Sequence, residues 1–318
     1  MLTDKEKSAR TDTPLRLLNS FSSVYRGNDG LLEKVLAGFL SGGHVLLEGL
    51  PGTGKTIIGK TLSALIDGAV FKRIQFTPDL MPYDITGVEV WNEKIRGFVF
   101  HPGPVFAHIV LADEINRTTP KVQSALLEAM AESQVTTGNY TRKLPRVFFV
   151  IATQNPIENE GTYPLPEAQK DRFSLLLKTT VPPPDSEYSI VKDNPAETVL
   201  SEISPECTLE EAVSMKKEVS DVYMDEKLIR AIVNIAGAVR SFPDTVLGVS
   251  TRGILMLADT ARALAYLRGR NYVIDKDISD LAVESFAHRI KLRGGSIAPE
   301  QLIMDITSSE LDKIRHAG

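Results

Sequence analysis

Eight residues, from Gly49 to Thr56, carry the strongest chemical signal in the sequence. They read Gly-Leu-Pro-Gly-Thr-Gly-Lys-Thr and match the pattern G-x-x-x-x-G-K-[ST] of a phosphate-binding loop. Glycine lets the backbone wrap around phosphate oxygens, and the amides that begin a helix add partial positive charge. We expect Lys55 to neutralise β- and γ-phosphate oxygens and the Thr56 hydroxyl to ligate Mg²⁺. The sequence therefore predicts an ATP site with its magnesium ion at this loop.

A second group of reactive side chains follows the apolar run Ile109–Ala112, where Asp113 and Glu114 are adjacent. Parallel sheets bind ligands at the carboxyl ends of their strands. Asp113 is expected to hold Mg²⁺, together with Thr56, and Glu114 to orient and deprotonate an attacking water. An acidic strand end alone is more often a solvated surface, but the complete phosphate loop favours hydrolysis. The predicted nucleotide contacts are Gly49, Leu50, Pro51, Gly52, Thr53, Gly54, Lys55, Thr56, Ile57 and Asp113.

The elements that must position these residues alternate between strand and helix. The predicted strands are His44–Glu48, Lys72–Phe76, His108–Ala112, Arg146–Thr153 and Ser174–Thr180. Amphipathic helices lie between several of them, which indicates a parallel, doubly wound α/β sheet. Two stretches, Ile85–Phe100 and Gln134–Leu144, have the pattern of β-hairpins.

Prolines 182–184 end the alternation, and only helical periodicity follows them. One predicted helix of this part contains Ile278, Leu281 and Phe286. We divide the chain into a mobile tail (1–13), an α/β core (14–181), a proline linker (182–184) and a helical lid (185–318). The first helix is expected to begin at Pro14, with Thr13 as its N-cap.

Composition excludes several classes of protein. The chain has 318 residues, 42% of them hydrophobic and 24% charged, which is ordinary for a globular protein of about two domains, each with its own core. The longest apolar run, Val147–Ala152, is far short of the roughly 20 residues of a membrane span. One cysteine, Cys207, excludes an intrachain disulfide. We expect a cytoplasmic protein without membrane insertion, and a net charge of −5 argues against a nucleic-acid partner.

These motifs resemble those of the MoxR family of AAA+ ATPases. The resemblance rests on Gly43–Thr56, Asp113–Arg117, Ala125–Met130, Ile151–Pro156 and the long stretch Glu160–Phe173. It implies a sheet of strand order 5-1-4-3-2 with two β-hairpin inserts, followed by an all-α lid. It also implies a homo-oligomeric ring, most often a hexamer, and a von Willebrand A-domain protein as partner or client.

The resemblance further assigns three residues outside the loop and the acidic pair. Asn155 matches sensor 1, whose amide bonds the γ-phosphate, although Asn before Pro is also a common turn residue. Arg172 matches the arginine finger of a ring subunit, although it could instead pair with a surface carboxylate. Arg252 matches sensor 2 or is a solvated helix residue. The motif around it departs from the family, because Thr251 stands where the family has proline. Ser250 or Thr251 is expected to cap that helix.

Three other functions remain open from sequence. A nucleic-acid motor and a metal-chelatase-type motor subunit use the same AAA+ core. An ATP-gated scaffold would bind the nucleotide and hardly hydrolyse it, which the intact pair Asp113-Glu114 disfavours.

Overall fold

Strands and helices alternate as far as Thr179, and the chain is then almost entirely helical. The structure is a computed structural model that describes residues 4–138, 140–156, 162–294 and 297–316. Its strands are β1 (Val45–Gly49), β2 (Ile66–Asp67), β3 (Phe71–Gln75), β4 (Gly87–Asn92), β5 (Gly97–Pro102), β6 (Ile109–Asp113), β7 (Gln134–Thr137), β8 (Tyr140–Lys143), β9 (Phe149–Gln154), β10 (Leu175–Thr179), β11 (Cys207–Thr208), β12 (Thr245–Leu247) and β13 (Lys291–Leu292).

The helices connect these strands and make up most of the lid. They are α1 (Asp4–Val24), α2 (Asp29–Leu40), α3 (Lys55–Ala64), α4 (Pro82–Thr86), α5 (Pro120–Glu132), α6 (Glu167–Lys170), α7 (Pro184–Asp193), α8 (Thr198–Glu202), α9 (Leu209–Ser220), α10 (Glu226–Ser241), α11 (Thr251–Leu267), α12 (Asp275–Ser279), α13 (Ala282–Phe286) and α14 (Pro299–His316). Single 3₁₀ turns lie at 104–106, 115–117 and 287–289.

A five-stranded parallel sheet organises the core. Its order is β10-β1-β9-β6-β3, which confirms the predicted order 5-1-4-3-2. All five strands run in the same direction, so the loops after β1, β6 and β9 meet at one edge of the sheet. That edge carries the phosphate loop, the acidic pair and Asn155. The predicted fourth strand began at Arg146. The structure begins it at Phe149, whose N–H donates to the His108 carbonyl at 2.8 Å.

The apolar core does not divide into one core per domain, as the length suggested. Alternate residues of each strand point to opposite faces, and each face has its own cluster. One cluster contains Leu46, Val110 and Val150 and packs on α5. The other runs without interruption from Leu47 and Ile151 through α1 and α2 into the lid helices α9, α10, α11, α13 and α14. Core and lid therefore share one apolar interior.

Both predicted hairpins are present, as β4–β5 and β7–β8, with Asn139 of the second turn outside the described residues. They are joined to each other, because Arg142 Nη2 donates to Glu89 Oε1 at 2.7 Å. The Arg142 guanidinium also lies 3.9 Å from the centre of the Phe100 ring. The first hairpin exposes Trp91 and Phe98, whose rings meet edge to face at 5.3 Å. The two inserts thus form one surface unit.

Two predicted helix positions are wrong. Helix α1 begins at Asp4, so residues 4–13 of the predicted tail are helical, while residues 1–3 lie outside the described part. Pro14 sits inside α1, since a proline removes one N–H donor without necessarily ending a helix. The predicted helix through Ile278, Leu281 and Phe286 is two helices, α12 and α13. A five-residue spacing would put Leu281 and Phe286 on different sides of one helix, and the break lets both be fully buried.

The linker predicted at residues 182–184 is shorter in the structure, because α7 begins at Pro184 and has Pro183 as its N-cap. The lid also contains strands of two or three residues, which are too short to produce a periodic signal in the sequence. One of them, β11, pairs in parallel with β2 of the core.

Candidate nucleotide-binding site

The phosphate loop closes tightly between β1 and α3. Gly52 and Gly54 have φ of 81° and 78°, in the left-handed region that favours glycine. Gly54 is also the N-cap of α3, and it makes no side-chain capping bond. The first amides of this ten-residue helix therefore face the loop without a side-chain acceptor, which is the arrangement that binds an anionic oxygen.

Lys55 folds back over the loop. Its Nζ donates to the carbonyl oxygens of Gly49 at 2.7 Å and Leu50 at 2.8 Å. Burial lowers the pKa of the Lys55 ammonium, and the nearby carboxylates of Asp113 and Glu114 oppose that shift. The lysine is thus held among acceptors that a phosphate group can replace.

The hydroxyl of Thr153 joins the two acidic residues. It donates to Asp113 Oδ1 at 2.6 Å and accepts the backbone N–H of Glu114 at 2.9 Å. Thr153 is fully buried at the end of β9, so it fixes the Asp113 carboxylate rigidly. Glu114 has φ 59° and ψ 50°, a left-handed conformation that is costly for a residue with a side chain. The Glu114 carboxylate pairs with Arg117, whose Nε lies 3.3 Å from Glu114 Oε2.

Two polar residues of the edge strand β3 complete the acidic pair's surroundings, and the sequence analysis missed both. Arg73 donates to Asp113 Oδ2 from Nε at 3.0 Å and from Nη2 at 2.6 Å. Gln75 Nε2 donates to Glu114 Oε2 at 2.7 Å. The detectable signal was their spacing, because residues i and i+2 of a strand share a face and this strand pairs with the one that ends at Asp113.

These groups surround a cavity of about 410 Å³ at the carboxyl edge of the sheet. The sequence-predicted residues Lys55, Thr56, Asp113, Glu114 and Asn155 all line it. Of the other predicted nucleotide contacts, Pro51, Gly52, Gly54 and Ile57 also line it, whereas Gly49, Leu50 and Thr53 do not. The lining further includes Arg73, Thr153 and Gln154, which were not predicted. The fold thus brings together loop, acidic pair and sensor residue from three separate strands.

Arg172 and Arg252 do not line this cavity within the described part of the chain. Arg172 follows α6 and donates to the Leu127 carbonyl. Arg252 lies in the first turn of α11, with its side chain 54% exposed and its Nη1 3.9 Å from Asp171 Oδ2. Arg252 therefore lies near Asp171 at the seam between core and lid, whereas the Arg172 guanidinium contacts α5 of the core.

Asp171 of the core connects to two residues of the lid at this seam. It accepts a hydrogen bond from the Ser250 hydroxyl at 2.8 Å and pairs with Arg289 Nε at 3.0 Å. Ser250 is the N-cap of α11, as expected, since its hydroxyl also accepts the Gly253 N–H at 3.0 Å. Burial lowers the pKa of the Arg289 guanidinium to about 10, and Asp171 opposes the shift, so Arg289 remains charged at neutral pH.

The residues present fit a nucleoside triphosphate with Mg²⁺. The loop offers uncapped amides and a lysine to phosphate oxygens. The cavity also offers the Thr56 hydroxyl and the Asp113 carboxylate, which are the hard oxygen ligands that Mg²⁺ prefers. Among the described residues, no group of three or more His, Cys, Asp or Glu side chains could hold a metal ion. None of the described helices is both long and apolar enough to cross a membrane.

Known proteins resemble this chain along most of its length. The family model for the ATPase family associated with various cellular activities (AAA) matches residues 44–175, and that for the AAA lid domain matches 238–309. The Bacillus subtilis protein YeaC is 46% identical over 86% of this chain and 87% of its own length. The chaperone MoxR1 of Mycobacterium tuberculosis is 38% identical over 92% of this chain and 79% of its own. A solved structure from Cytophaga hutchinsonii, described as a candidate ATPase, has a TM-score of 0.87 at 35% identity and covers 96% of both chains.

Proposed function

The chain belongs to the MoxR family of AAA+ ATPases, and from that premise we propose that it hydrolyses ATP in a cytoplasmic ring of identical subunits, a hexamer, to remodel or mature a protein client. The observation that carries the proposal is the single cavity into which the phosphate loop, the acidic pair and Asn155 all project. A nucleotide store needs the loop, whereas hydrolysis also needs a carboxylate that can activate water.

The residues of this cavity divide the work of hydrolysis. The loop amides and Lys55 hold the β- and γ-phosphates, and Thr56 and Asp113 hold Mg²⁺, which when bound offsets the phosphate charge. Glu114 takes the proton of the attacking water, since its carboxylate is projected into the cavity by a left-handed turn. Asn155 orients the γ-phosphate through its amide.

Assembly into a ring would give a role to Arg172 and Arg252, the two predicted site residues that do not line the cavity. Arg172, which donates to the Leu127 carbonyl, and Arg252, which lies near Asp171, are both outside the cavity of their own subunit. We assign both to the nucleotide of a neighbouring subunit, where a guanidinium offsets charge that develops during phosphoryl transfer. Such a contribution is worth about 10³–10⁵ in rate.

In this proposal, the client contacts the surface formed by the hairpins β4–β5 and β7–β8. Their surface is apolar and exposed, with Phe98 67%, Ile95 63% and Trp91 53% accessible. The family relationship suggests a von Willebrand A-domain protein as that client, and the name of the relative MoxR1 describes it as a chaperone.

Mixed rings test the ring and the trans assignment. Subunits carrying Lys55→Ala lose their own site but keep their arginines, and subunits carrying Arg172→Ala do the reverse. Each variant alone should be inactive, and mixing them should restore part of the ATP turnover, because some sites then combine an intact loop with an intact finger. Arg230→Ala, on an exposed face of α10, is the matched control. Verified mixed rings without recovery would overturn the trans role of Arg172.

Retention of partners by an ATP-locked ring tests the client. Glu114→Gln subunits, loaded with ATP in a cell extract, should retain a von Willebrand A-domain protein that Lys55→Ala subunits do not retain. Retention of nucleic acid alone, with stimulation of ATP turnover by that nucleic acid, would replace the proposal with a nucleic-acid motor.

A further inference from the structure

Both carboxylate oxygens of Asp113 are already engaged before any metal binds. Oδ1 accepts the Thr153 hydroxyl at 2.6 Å. Oδ2 accepts two N–H groups of Arg73, at 2.6 and 3.0 Å. A divalent cation that uses this carboxylate, directly or through a water, must therefore compete with one of these partners.

Thr153 and Arg73 differ in how easily each can be displaced from the Asp113 carboxylate. Thr153 is fully buried and also holds the Glu114 backbone, so its displacement would disturb the sheet edge. Arg73 lies on the edge strand β3, and its side chain is 49% exposed. Water reaches the Arg73 guanidinium and can replace its bonds to Asp113, so Arg73 leaves the carboxylate more easily than the buried Thr153 hydroxyl does.

We propose that Arg73 is a metal-exchange residue, a built-in cation that neutralises Asp113 while the magnesium position is empty and is displaced from Oδ2 when Mg²⁺ arrives with the nucleotide. The inference rests on the proposed function, since it requires that the cavity take a magnesium nucleotide. Arg73 is a positioning residue that acts through its hydrogen bonds to Asp113 and Gln75.

The same guanidinium also orients the second carboxylate. Arg73 Nη2 donates to Gln75 Oε1 at 2.7 Å, and the opposite end of that amide donates to Glu114 Oε2 at 2.7 Å. The Gln75 amide therefore has its NH₂ group toward Glu114 because its oxygen is taken by Arg73. When Arg73 leaves Asp113, the Gln75 side chain transmits the change to Glu114.

Removal of Arg73 has opposite consequences with and without metal. Without Mg²⁺, the uncompensated charge of Asp113 repels the phosphates, so metal-free nucleotide binds more weakly. With Mg²⁺, the metal no longer competes with a guanidinium, so binding is unchanged or tighter. The ratio of the two dissociation constants rises, whereas a structural defect would weaken both and leave the ratio unchanged.

The experiment titrates a fluorescent, non-hydrolysable ATP analogue into the full-length protein, in Mg²⁺ and in excess chelator. Arg73→Ala should raise the ratio of the dissociation constant in chelator to that in Mg²⁺ at least about tenfold over the unsubstituted protein. Arg73→Lys should keep the ratio within about threefold, because an ammonium still neutralises Asp113. Arg230→Ala is the surface control, and circular dichroism establishes that each variant is folded.

Two failures are distinguishable. If the unsubstituted protein does not bind the analogue in Mg²⁺, the proposed function itself fails. If it binds the analogue and Arg73→Ala leaves the ratio of the two dissociation constants unchanged, the proposed function stands and the exchange role of Arg73 is overturned.

Discussion

Asp171 and Arg289 form an ion pair across the seam between the core and the lid, with 3.0 Å between Asp171 Oδ1 and Arg289 Nε. The arginine side chain is 1% exposed, and the aspartate is 19% exposed. Arg289 also donates to the carbonyl oxygens of Phe173 and Ser285, one on each side of the seam. The residue next to Asp171 is the proposed arginine finger, so the joint between the domains and the proposed trans-acting group are adjacent in the chain.

Asp171→Asn is expected to lower the free energy of unfolding by about 2–4 kcal/mol, because it leaves the buried Arg289 charge without its counter-ion. Urea denaturation of the full chain measures the loss. Glu226→Gln is the control, since that carboxylate pairs with Arg230 at 3.6 Å on an exposed helix face and should change stability by less than about 1 kcal/mol. Equal effects of the two substitutions would contradict a special role for the seam pair.

Glu114→Gln is expected to leave ATP binding intact and to slow turnover at least about 100-fold, because an amide cannot take a proton from water. Phosphate release and nucleotide titration, measured on the same preparation, separate the two effects. Glu132→Gln, an exposed carboxylate at the end of α5, should change neither. Full turnover by Glu114→Gln would remove the residue from its assigned role.

Thr153→Val tests the hydroxyl that joins the acidic pair. Valine keeps the shape of threonine but leaves Asp113 Oδ1 and the Glu114 N–H without their shared partner. We expect a loss of about 1–3 kcal/mol in stability and a lower turnover number. Thr153→Ser restores the hydroxyl and should recover most of both quantities. A valine variant that matches the original protein in turnover would show that the bridge is dispensable.

His44 should make the protein less stable as the pH falls. Burial lowers its pKa from 6.5 to about 4, with the positive charge of Lys216 adding to the shift. Its Nδ1 accepts the Val150 N–H at 3.0 Å, which requires the unprotonated nitrogen. Between pH 6.5 and 4 the unfolded chain binds a proton that the folded chain does not. The free energy of unfolding therefore falls across this range, by up to about 3 kcal/mol.

Denaturation at several pH values measures this loss of stability, which reaches most of its size near pH 4. His44→Gln should reduce it relative to the original protein, and the exposed His101→Gln should not. An unchanged slope in His44→Gln would assign the pH dependence to other groups, such as His288, whose pKa burial also lowers.

The candidate site was largely visible in the sequence because its main parts are local. The phosphate loop and the pair Asp113-Glu114 are runs of adjacent residues, and the apolar strands before them predict which edge they share. Asn155, Arg172 and Arg252 came from the family resemblance instead. The structure places Asn155 in the cavity, Arg252 at the seam, and the Arg172 guanidinium against the Leu127 carbonyl of α5.

The residues that sequence analysis missed act through pairing between distant segments. Arg73 reaches Asp113 across two paired strands, and Asp171 reaches Arg289 over a separation of 118 residues. The shared strand face of Arg73 and Gln75 shows only once β3 is paired with β6, and the contact between Asp171 and Arg289 leaves no pattern in the chain. The break between α12 and α13 was missed for a different reason, since an apolar spacing of three and then five residues was interpreted as one helix.

The apolar cluster that continues from the sheet into the lid also bears on how the chain folds. Leu36 and Phe39 of α2 belong to the same cluster as Ile232, Leu264 and Phe286 of the lid. Separating the α/β core from the helical lid would expose their shared apolar surface to water. The free-energy cost of that exposure grows with the apolar area uncovered. The polypeptide should therefore melt in one cooperative transition, and a lid expressed without the preceding 180 residues should aggregate.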